Sequence, residues 1–266
     1  MKQIATALVL ALAPCLLADQ AQQKDIETII TGSTKYVPLV IIGEGWSQQF
    51  IIQNVDDEEA ATGTIQFFTS EGEPWEVEIL GQGKRDTFFI NLFPDQIAHL
   101  ETKVEFHGQI LGFAKIDMGC CPSTVAQTIF RRQAAGRPDL ITSTPISGSA
   151  FRKVRIPFDN RGGKFAGVGI LNTESCFSFN GCESKLRIRL RDADGAIFHE
   201  EVVTQRNQSL RWFSLSADYP QTGGRLGSLE VVDGDDSGDF DFIDAVGFSL
   251  QFTPNGAFTS IATLER

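Results

Sequence analysis

Residues 185–192 read Lys-Leu-Arg-Ile-Arg-Leu-Arg-Asp, and they carry the clearest structural signal in the chain. Leu186, Ile188 and Leu190 alternate with basic side chains. This period of two is typical of a β-strand with one face in a core and the other in water. Asp192-Ala193-Asp194-Gly195 comes next and has the composition of a tight turn. The stretch therefore predicts the first strand of a β-hairpin.

The same signals recur along the chain. Trp75, Val77 and Ile79 alternate with glutamates, and Ser70-Glu71-Gly72-Glu73 before them resembles the later turn. Further strand candidates lie at 87–91, 103–106, 110–116, 125–130, 210–215, 226–232, 245–252 and 258–262. Short apolar segments separated by turn residues indicate an all-β protein.

One pattern of residues occurs twice. The first copy contains Pro38, residues 50–54 ending in Asn54, Ile65-Gln66-Phe67, Gly72, Trp75 and, later, Gly112-Phe113. The second contains Pro157, residues 168–172 ending in Asn172, Ile188-Arg189-Leu190, Gly195, Phe198 and, later, Gly247-Phe248. A period of about 120 residues corresponds to one small domain. We therefore expect two tandem β-sandwich domains, immunoglobulin-like or jelly-roll-like, that are related by internal duplication.

Composition suggests the domain boundaries. We predict a cleaved signal peptide at 1–18, a polar leader at 19–34, a first sandwich at 35–133, a linker rich in Pro and Gly at 134–148, and a second sandwich at 149–266. The apolar run of the signal is too short to cross a bilayer, and no later stretch is apolar enough to do so. We expect a protein that is secreted or held at the cell surface, with the periplasm as an alternative.

The net charge of −11 argues against nucleic acid and anionic lipid as partners, because like charges repel. A protein or glycan partner at a surface is compatible with this charge. Homotypic assembly by strand addition at sheet edges is a further hypothesis.

Four cysteines remain after signal cleavage. Cys176 and Cys182 flank Asn180-Gly181, a strong tight-turn signal, so we predict a disulfide bond between them. Cys120 and Cys121 are adjacent, and three outcomes stay open: a strained vicinal ring, a bond to a partner chain, or reduced thiols. Neither pair has the CxxC spacing of a structural zinc site.

Several short motifs carry a resemblance to a group of bacterial proteins. The motifs are Phe130-Arg131-Arg132-Gln133, Gly136-Arg137-Pro138-Asp139, Ile156-Pro157-Phe158-Asp159-Asn160, Val37-Pro38, Gly45-Trp46-Ser47, Asn54 and Gly256-Ala257-Phe258-Thr259. With them the chain resembles exported proteins of soil bacteria, acidobacterial ones especially, that carry tandem β-rich modules. The resemblance covers most of the chain beyond the signal peptide. It implies a secreted two-module β architecture, and it implies no activity and no site residue.

An acidic segment near the C-terminus has the spacing of a calcium-binding loop. The candidate ligands are Asp233, Asp235, Ser237, Asp239, Asp241 and Asp244, of which Asp244 stands at the twelfth position, where a bidentate Glu is usual. The flanks have the pattern of strands, whereas an EF-hand has helices. A solvated hairpin tip between residues 229–232 and 245–250 is therefore the competing interpretation.

Two further surface features have open interpretations. Trp46 lies in a glycine-containing segment at 43–47 and is the candidate to stack on a sugar ring. The other feature is the basic row of Lys185, Arg187, Arg189 and Arg191 on the predicted strand. Such a row can bind a polyanion such as an acidic polysaccharide. More often it pairs with acids on the neighbouring strand, and here Glu200 and Glu201 lie across the predicted turn.

No catalytic constellation stands out. The histidines His99, His107 and His199 form no metal-binding pair, and GxSxG, P-loop and HExxH motifs are absent from the sequence. We predict a non-catalytic interaction or structural module of the adhesion or extracellular-matrix type. The alternatives are a calcium-dependent carbohydrate-binding module and a glycan hydrolase that uses carboxylates.

Overall fold

The computed structural model describes residues 34–119, 123–133, 136, 139–146, 153–174, 182–234, 244–261 and 264–265. The first half contains β1 (Thr34–Ile42), β2 (Trp46–Asn54), β3 (Ala61–Thr69), β4 (Val77–Ile79), β5 (Gly83–Arg85), β6 (Thr87–Leu92), β7 (Ile97–Glu101), β8 (Ile110–Asp117), β9 (Thr124–Arg132) and β10 (Leu140–Pro145). The second half contains β11 (Val154–Asp159), β12 (Phe165–Asn172), β13 (Glu183–Asp192), β14 (Ile197–Arg206), β15 (Ser209–Ser214), a short helix α1 (Leu215–Asp218), a 3₁₀ turn (Pro220–Thr222), β16 (Leu226–Asp233), β17 (Ala245–Phe252), β18 (Phe258–Ile261) and β19 (Leu264–Glu265).

The first half folds into an antiparallel sandwich. Sheet 1A has the strand order β1-β8-β3-β6, and sheet 1B has the order β10-β9-β2-β7, with β4 and β5 as a separate small hairpin. Inward positions alternate with outward ones along the strands. Phe50 from sheet 1B meets Phe67 from sheet 1A edge to face at 5.4 Å, and Phe67 meets Phe88 at 6.0 Å. These three rings are part of the first core.

The second half forms another antiparallel sandwich. Sheet 2A has the order β14-β13-β16-β11-β19, and sheet 2B has the order β15-β12-β17-β18. Strand β13 contains the opening stretch, and its residues Leu186, Ile188 and Leu190 are all fully buried in the second core. The predicted hairpin is confirmed, because β13 pairs with β14 across the turn at residues 192–195. The predicted all-β sandwich fold is thus the observed one.

Both sandwiches have the same strand order. For the comparison we leave out β4, β5 and β19 and number the remaining eight strands of each sandwich along the chain. In both sandwiches one sheet then has the order 1-6-3-4 and the other has the order 8-7-2-5. The pairing of strand 2 with strand 5 and of strand 3 with strand 6 also occurs in immunoglobulin domains. The pairing of strand 1 with strand 6 does not occur in the immunoglobulin order. Common ancestry of the two halves remains a prediction. One sequence correspondence changes: Gly112-Phe113 lies on the sixth strand of its sandwich, and Gly247-Phe248 lies on the seventh.

The second strand of each sandwich ends in the same way, at an asparagine. Asn54 ends β2, and its side-chain oxygen accepts a hydrogen bond of 3.1 Å from the Asp56 N–H. Asn172 ends β12 and accepts one of 3.1 Å from the Glu174 N–H. Both asparagines are fully buried. An asparagine side chain that bonds the backbone two residues ahead turns the chain out of a strand, which explains why this residue type recurs at the two strand ends.

A third apolar cluster joins the two sandwiches. This interdomain layer contains Leu39, Ile41 and Phe113 from sheet 1A, Leu171, Leu210, Val246, Phe248, Leu250 and Phe258 from sheet 2B, and Trp46 and Phe130 from sheet 1B. The rings of Phe130 and Phe248 stack at 5.3 Å. Backbone contact reinforces the layer, since the Leu210 N–H donates to the Ser70 carbonyl at 2.8 Å. Sheet 1A therefore has apolar packing on both of its faces.

The structure differs from the sequence-based boundaries in two places. The segment predicted as a linker contains β10, which pairs with β9 along the edge of sheet 1B. Residues 103–106 were expected to form a strand, and they do not. Instead, the Lys103 N–H donates to the Glu78 carbonyl, and the Glu105 carbonyl accepts from the Gly45 N–H. These isolated bonds run to different segments, so no continuous ladder forms.

Candidate interaction surface

The acidic segment connects two sheets. Asp233 ends β16 in sheet 2A, and Asp244 directly precedes β17 in sheet 2B. The hairpin-tip interpretation is therefore wrong, because its flanking strands do not pair with each other. The Asp244 carbonyl accepts bonds from the Thr173 N–H at 2.7 Å and the Thr173 hydroxyl at 2.8 Å.

Four of the six candidate calcium ligands, Asp235, Ser237, Asp239 and Asp241, lie outside the described residues. Among the residues that are described, no group of three His, Cys, Asp or Glu side chains is placed to hold a metal ion. Calcium binding by the 233–244 segment stays a prediction.

Trp46 occupies a different setting from the predicted loop. It is the first residue of β2, and its side chain belongs to the interdomain layer. The indole lies 4.7 Å from the Phe258 ring, and the Arg132 guanidinium lies over it at 5.4 Å. With only 2 % of Trp46 exposed, a sugar ring has no surface there on which to stack in this structure.

Cys182 is the one cysteine within the described part of the chain, where it precedes β13. It is disulfide-bonded. Cys176, Cys120 and Cys121 lie outside the described residues, so the Cys176–Cys182 pairing and the state of the adjacent pair stay predictions.

The outward side of sheet 2A carries a dense cluster of cations. We use the name basic face for the cluster of Lys153, which directly precedes β11, Arg155 on β11, and Lys185, Arg187, Arg189 and Arg191 on β13. The central strand β16 lies between these two strands. The register places Glu230 of β16 directly opposite Arg155 on one side and Arg189 on the other. One carboxylate therefore lies in the middle of the cluster.

Glu230 is enclosed by four of these cations. Its carboxylate receives a hydrogen bond from Arg155, lies 3.0 Å from Lys153 Nζ and 3.0 Å from Arg191 Nη2, and has Arg189 Nη1 at 3.6 Å. The side chain of Glu230 is 0 % exposed. Burial by itself would raise its pKa, but the hydrogen bonds from Arg155, Arg191 and Lys153 outweigh burial and lower the pKa from 4.5 to about 2. Glu230 is therefore ionised at neutral pH.

A second carboxylate pairs with the middle of the row. Glu200 on β14 lies 2.6 Å from Arg189 Nε and 3.3 Å from Arg187 Nη1. The predicted pairing of the basic row with an acid across the turn is thus confirmed for Glu200. Those hydrogen bonds, led by the one from Arg189, lower the pKa of Glu200.

Among the described residues, the cations of the basic face outnumber the carboxylates that pair with them. Of its six cations, five form ion pairs with Glu200 or Glu230, the two described carboxylates that pair with this face. Lys185 is exposed and forms no ion pair with any described residue. At the margin of the face, Asp159 is paired with two additional cations, Arg161 and Lys164, at 2.8 and 3.0 Å.

This arrangement suits the binding of carboxylates. Guanidinium groups are strong donors to carboxylates, and Arg155 donates to one Glu230 oxygen from both its Nε and its Nη2. Within the described residues of β11, β13 and β16, the outward side chains include no aromatic ring and no histidine or cysteine. The basic face can therefore bind an anion.

The sequence pattern revealed only part of this surface. It identified the row on β13 but not Lys153 and Arg155, nor the carboxylate between the strands. Residues 153–158 read Lys-Val-Arg-Ile-Pro-Phe and also alternate. That signal could have placed two more cations on an outward face, but not beside β13.

No protein-family model matches the chain, and a search of curated proteins finds no similar sequence. Among the described residues, no helix has the length and hydropathy needed to cross a bilayer.

Proposed function

We propose that this protein is a non-catalytic interaction module, secreted or held at the cell surface, that binds acidic polysaccharide through the basic face. The observation that carries the proposal is that five cations share two described carboxylates on one sheet face, with the exposed Lys185 beside them. A ligand with repeated carboxylates would pair with such a row of cations.

The form and charge of the face favour a carboxylated polysaccharide over other polyanions. Outward residues on a strand recur every ~6.8 Å, so Lys185 to Arg191 form an extended row along which a linear polymer can lie. Binding of single-stranded nucleic acid relies on aromatic platforms, and the described outward residues of β11, β13 and β16 provide none. The net charge of −11 repels polyanions from the rest of the chain and so restricts their approach to this face.

The interdomain layer supports a role in surface attachment. Buried rings such as Phe130 and Phe248 link the two sandwiches, which presents the basic face on a stiff two-domain body. A non-catalytic adhesion or matrix protein benefits from such stiffness, because a bound surface and the opposite end of the molecule stay at a fixed separation.

Charge reversal at Lys185 tests the proposal. Lys185→Glu changes an exposed side chain outside the Glu230 contacts, so the fold should persist. We expect the variant to bind polygalacturonate roughly tenfold more weakly than the unchanged protein in low salt, because ion pairing on the face is lost. The matched control is Lys84→Glu, an exposed lysine of the first sandwich, which should bind as tightly as the unchanged protein. Biolayer interferometry at several salt concentrations gives the affinities.

Three results would contradict the proposal. The first is an absence of polygalacturonate binding in low salt. The second is an equal loss in the Lys84→Glu control, which would show that no particular face is used. The third is tighter binding of single-stranded DNA than of polygalacturonate, which would assign the face to nucleic acid.

A further inference from the structure

A cavity of about 150 Å³ lies where the two sandwiches meet. Tyr36, Gln66, Phe68 and Lys115 line it from sheet 1A, and Thr173 and Gln208 line it from the second sandwich. Neither sandwich encloses this space alone. Domain interfaces are common places for small-molecule sites.

The cavity combines an aromatic wall with polar side chains. Phe68 is stacked on Phe113 at 5.0 Å with an angle of 16° between the rings, and both line the cavity. The side chains of Gln66, Gln208 and Tyr36 form no hydrogen bond with a described residue. Burial, followed by the charges of Asp244 and Asp117, raises the pKa of Tyr36, so its hydroxyl keeps a proton that it can donate.

A structural glutamine in the same protein behaves differently. The Gln48 amide is fully buried and is satisfied by Leu39, Ile41 and Thr128. Gln66 is half-buried and Gln208 is exposed, so both amides are open to solvent, and they reach the cavity from opposite sandwiches.

We propose that this cavity binds a single sugar ring. Amide and phenol groups bond to ring hydroxyls, and the apolar C–H faces of a pyranose pack on aromatic side chains. The volume of about 150 Å³ leaves no room for more than one ring. This site is separate from the basic face, because that face is on sheet 2A and the cavity is between sheets 1A and 2B.

Nuclear magnetic resonance titration tests the site. The ¹⁵N-labelled full chain is titrated with D-glucose, D-galactose, D-mannose and D-glucuronate, each to tens of millimolar. At least one sugar should shift the side-chain amide signals of Gln66 and Gln208 together with the Thr173 backbone signal. Tighter binding of glucuronate than of the neutral sugars would show that the Lys115 ammonium contacts the ligand.

Two variants and a control complete the test. In the double variant Gln66→Ala with Gln208→Gly, affinity should fall at least tenfold; glycine is chosen because Gln208 has a φ of 53°. Gln127→Ala, on the exposed side of β9, should leave affinity unchanged. Lys185→Glu should also have no effect, so failure here and failure of the proposed polysaccharide binding are distinguishable. Absence of shifts with every sugar, or retained affinity in a folded double variant, would overturn the site.

Discussion

At the scale of single residues, the buried Gln48 side chain bonds to backbone groups of an irregular strand. The ladder between β1 and β8 is interrupted between Val37 and Val40. Gln48 fills the gap: its Nε2 donates to the Leu39 carbonyl at 2.9 Å, and its Oε1 accepts from the Ile41 N–H at 3.2 Å. The interruption allows Leu39 to join the interdomain layer while Val40 stays in the first core.

Replacing this glutamine should be costly. Gln48→Leu keeps the volume but leaves a buried N–H and a buried carbonyl unpaired, so we expect the free energy of unfolding to fall by about 3 kcal/mol. Gln49→Leu, at the next position on β2, should change it by less than about 0.5 kcal/mol. Urea unfolding followed by fluorescence measures both. Similar losses in the two variants would contradict the assigned role of Gln48.

At the scale of elements, sheet 2A is joined by charge as well as by its backbone ladder. Glu230 on β16 contacts cations of β13 and β11, together with Lys153 just before β11. The pKa of Glu230 is lowered from 4.5 to about 2 in the folded protein. A carboxyl with a lowered pKa stabilises the fold above its unfolded pKa, and this contribution disappears as the pH falls through the folded pKa.

We therefore expect acid to remove the advantage that Glu230 confers. Glu230→Gln should lower the free energy of unfolding at pH 7, and the difference from the unchanged protein should shrink between about pH 4.5 and pH 2. Urea titrations at a series of pH values check this. A difference that is independent of pH would show that shape, rather than charge, is what Glu230 provides.

The sequence predicted the strands that carry a clear period-two pattern of their own. The alternation at 185–192 located β13, because one buried face and one wet face leave a visible period. Strands β7 and β10 were missed. Strand β10, with the sequence Leu-Ile-Thr-Ser-Thr-Pro, is held by its ladder with β9 and by contacts of Thr142 and Ser143 with Ser260 of β18. Ser260 is distant in sequence, so local composition cannot reveal its contacts with this strand.

At the scale of the whole molecule, the interdomain layer should make the two sandwiches unfold together. Phe248 is 3 % exposed and stacks on Phe130 of the other sandwich. Phe248→Asp would bury a charge in that layer, so we expect the single calorimetric transition of the unchanged protein to separate into two.

A second phenylalanine provides the matched control. Phe89 on β6 is 83 % exposed, so Phe89→Asp should leave a single transition. One transition in the folded Phe248→Asp variant, or two in the unchanged protein, would contradict coupling through the layer.

The sequence by itself determined the all-β class, the hairpin at 185–206 and the basic row, because period-two patterns and turn residues act over a few neighbouring positions. Only the tertiary structure decided that Trp46 lies inside, that Glu230 lies among cations from two other strands, and that a cavity opens between Gln66 and Gln208. The physical reason is that burial, ion pairing and enclosure depend on which distant strands become neighbours, and local alternation shows that a side chain points outward without showing what it meets there.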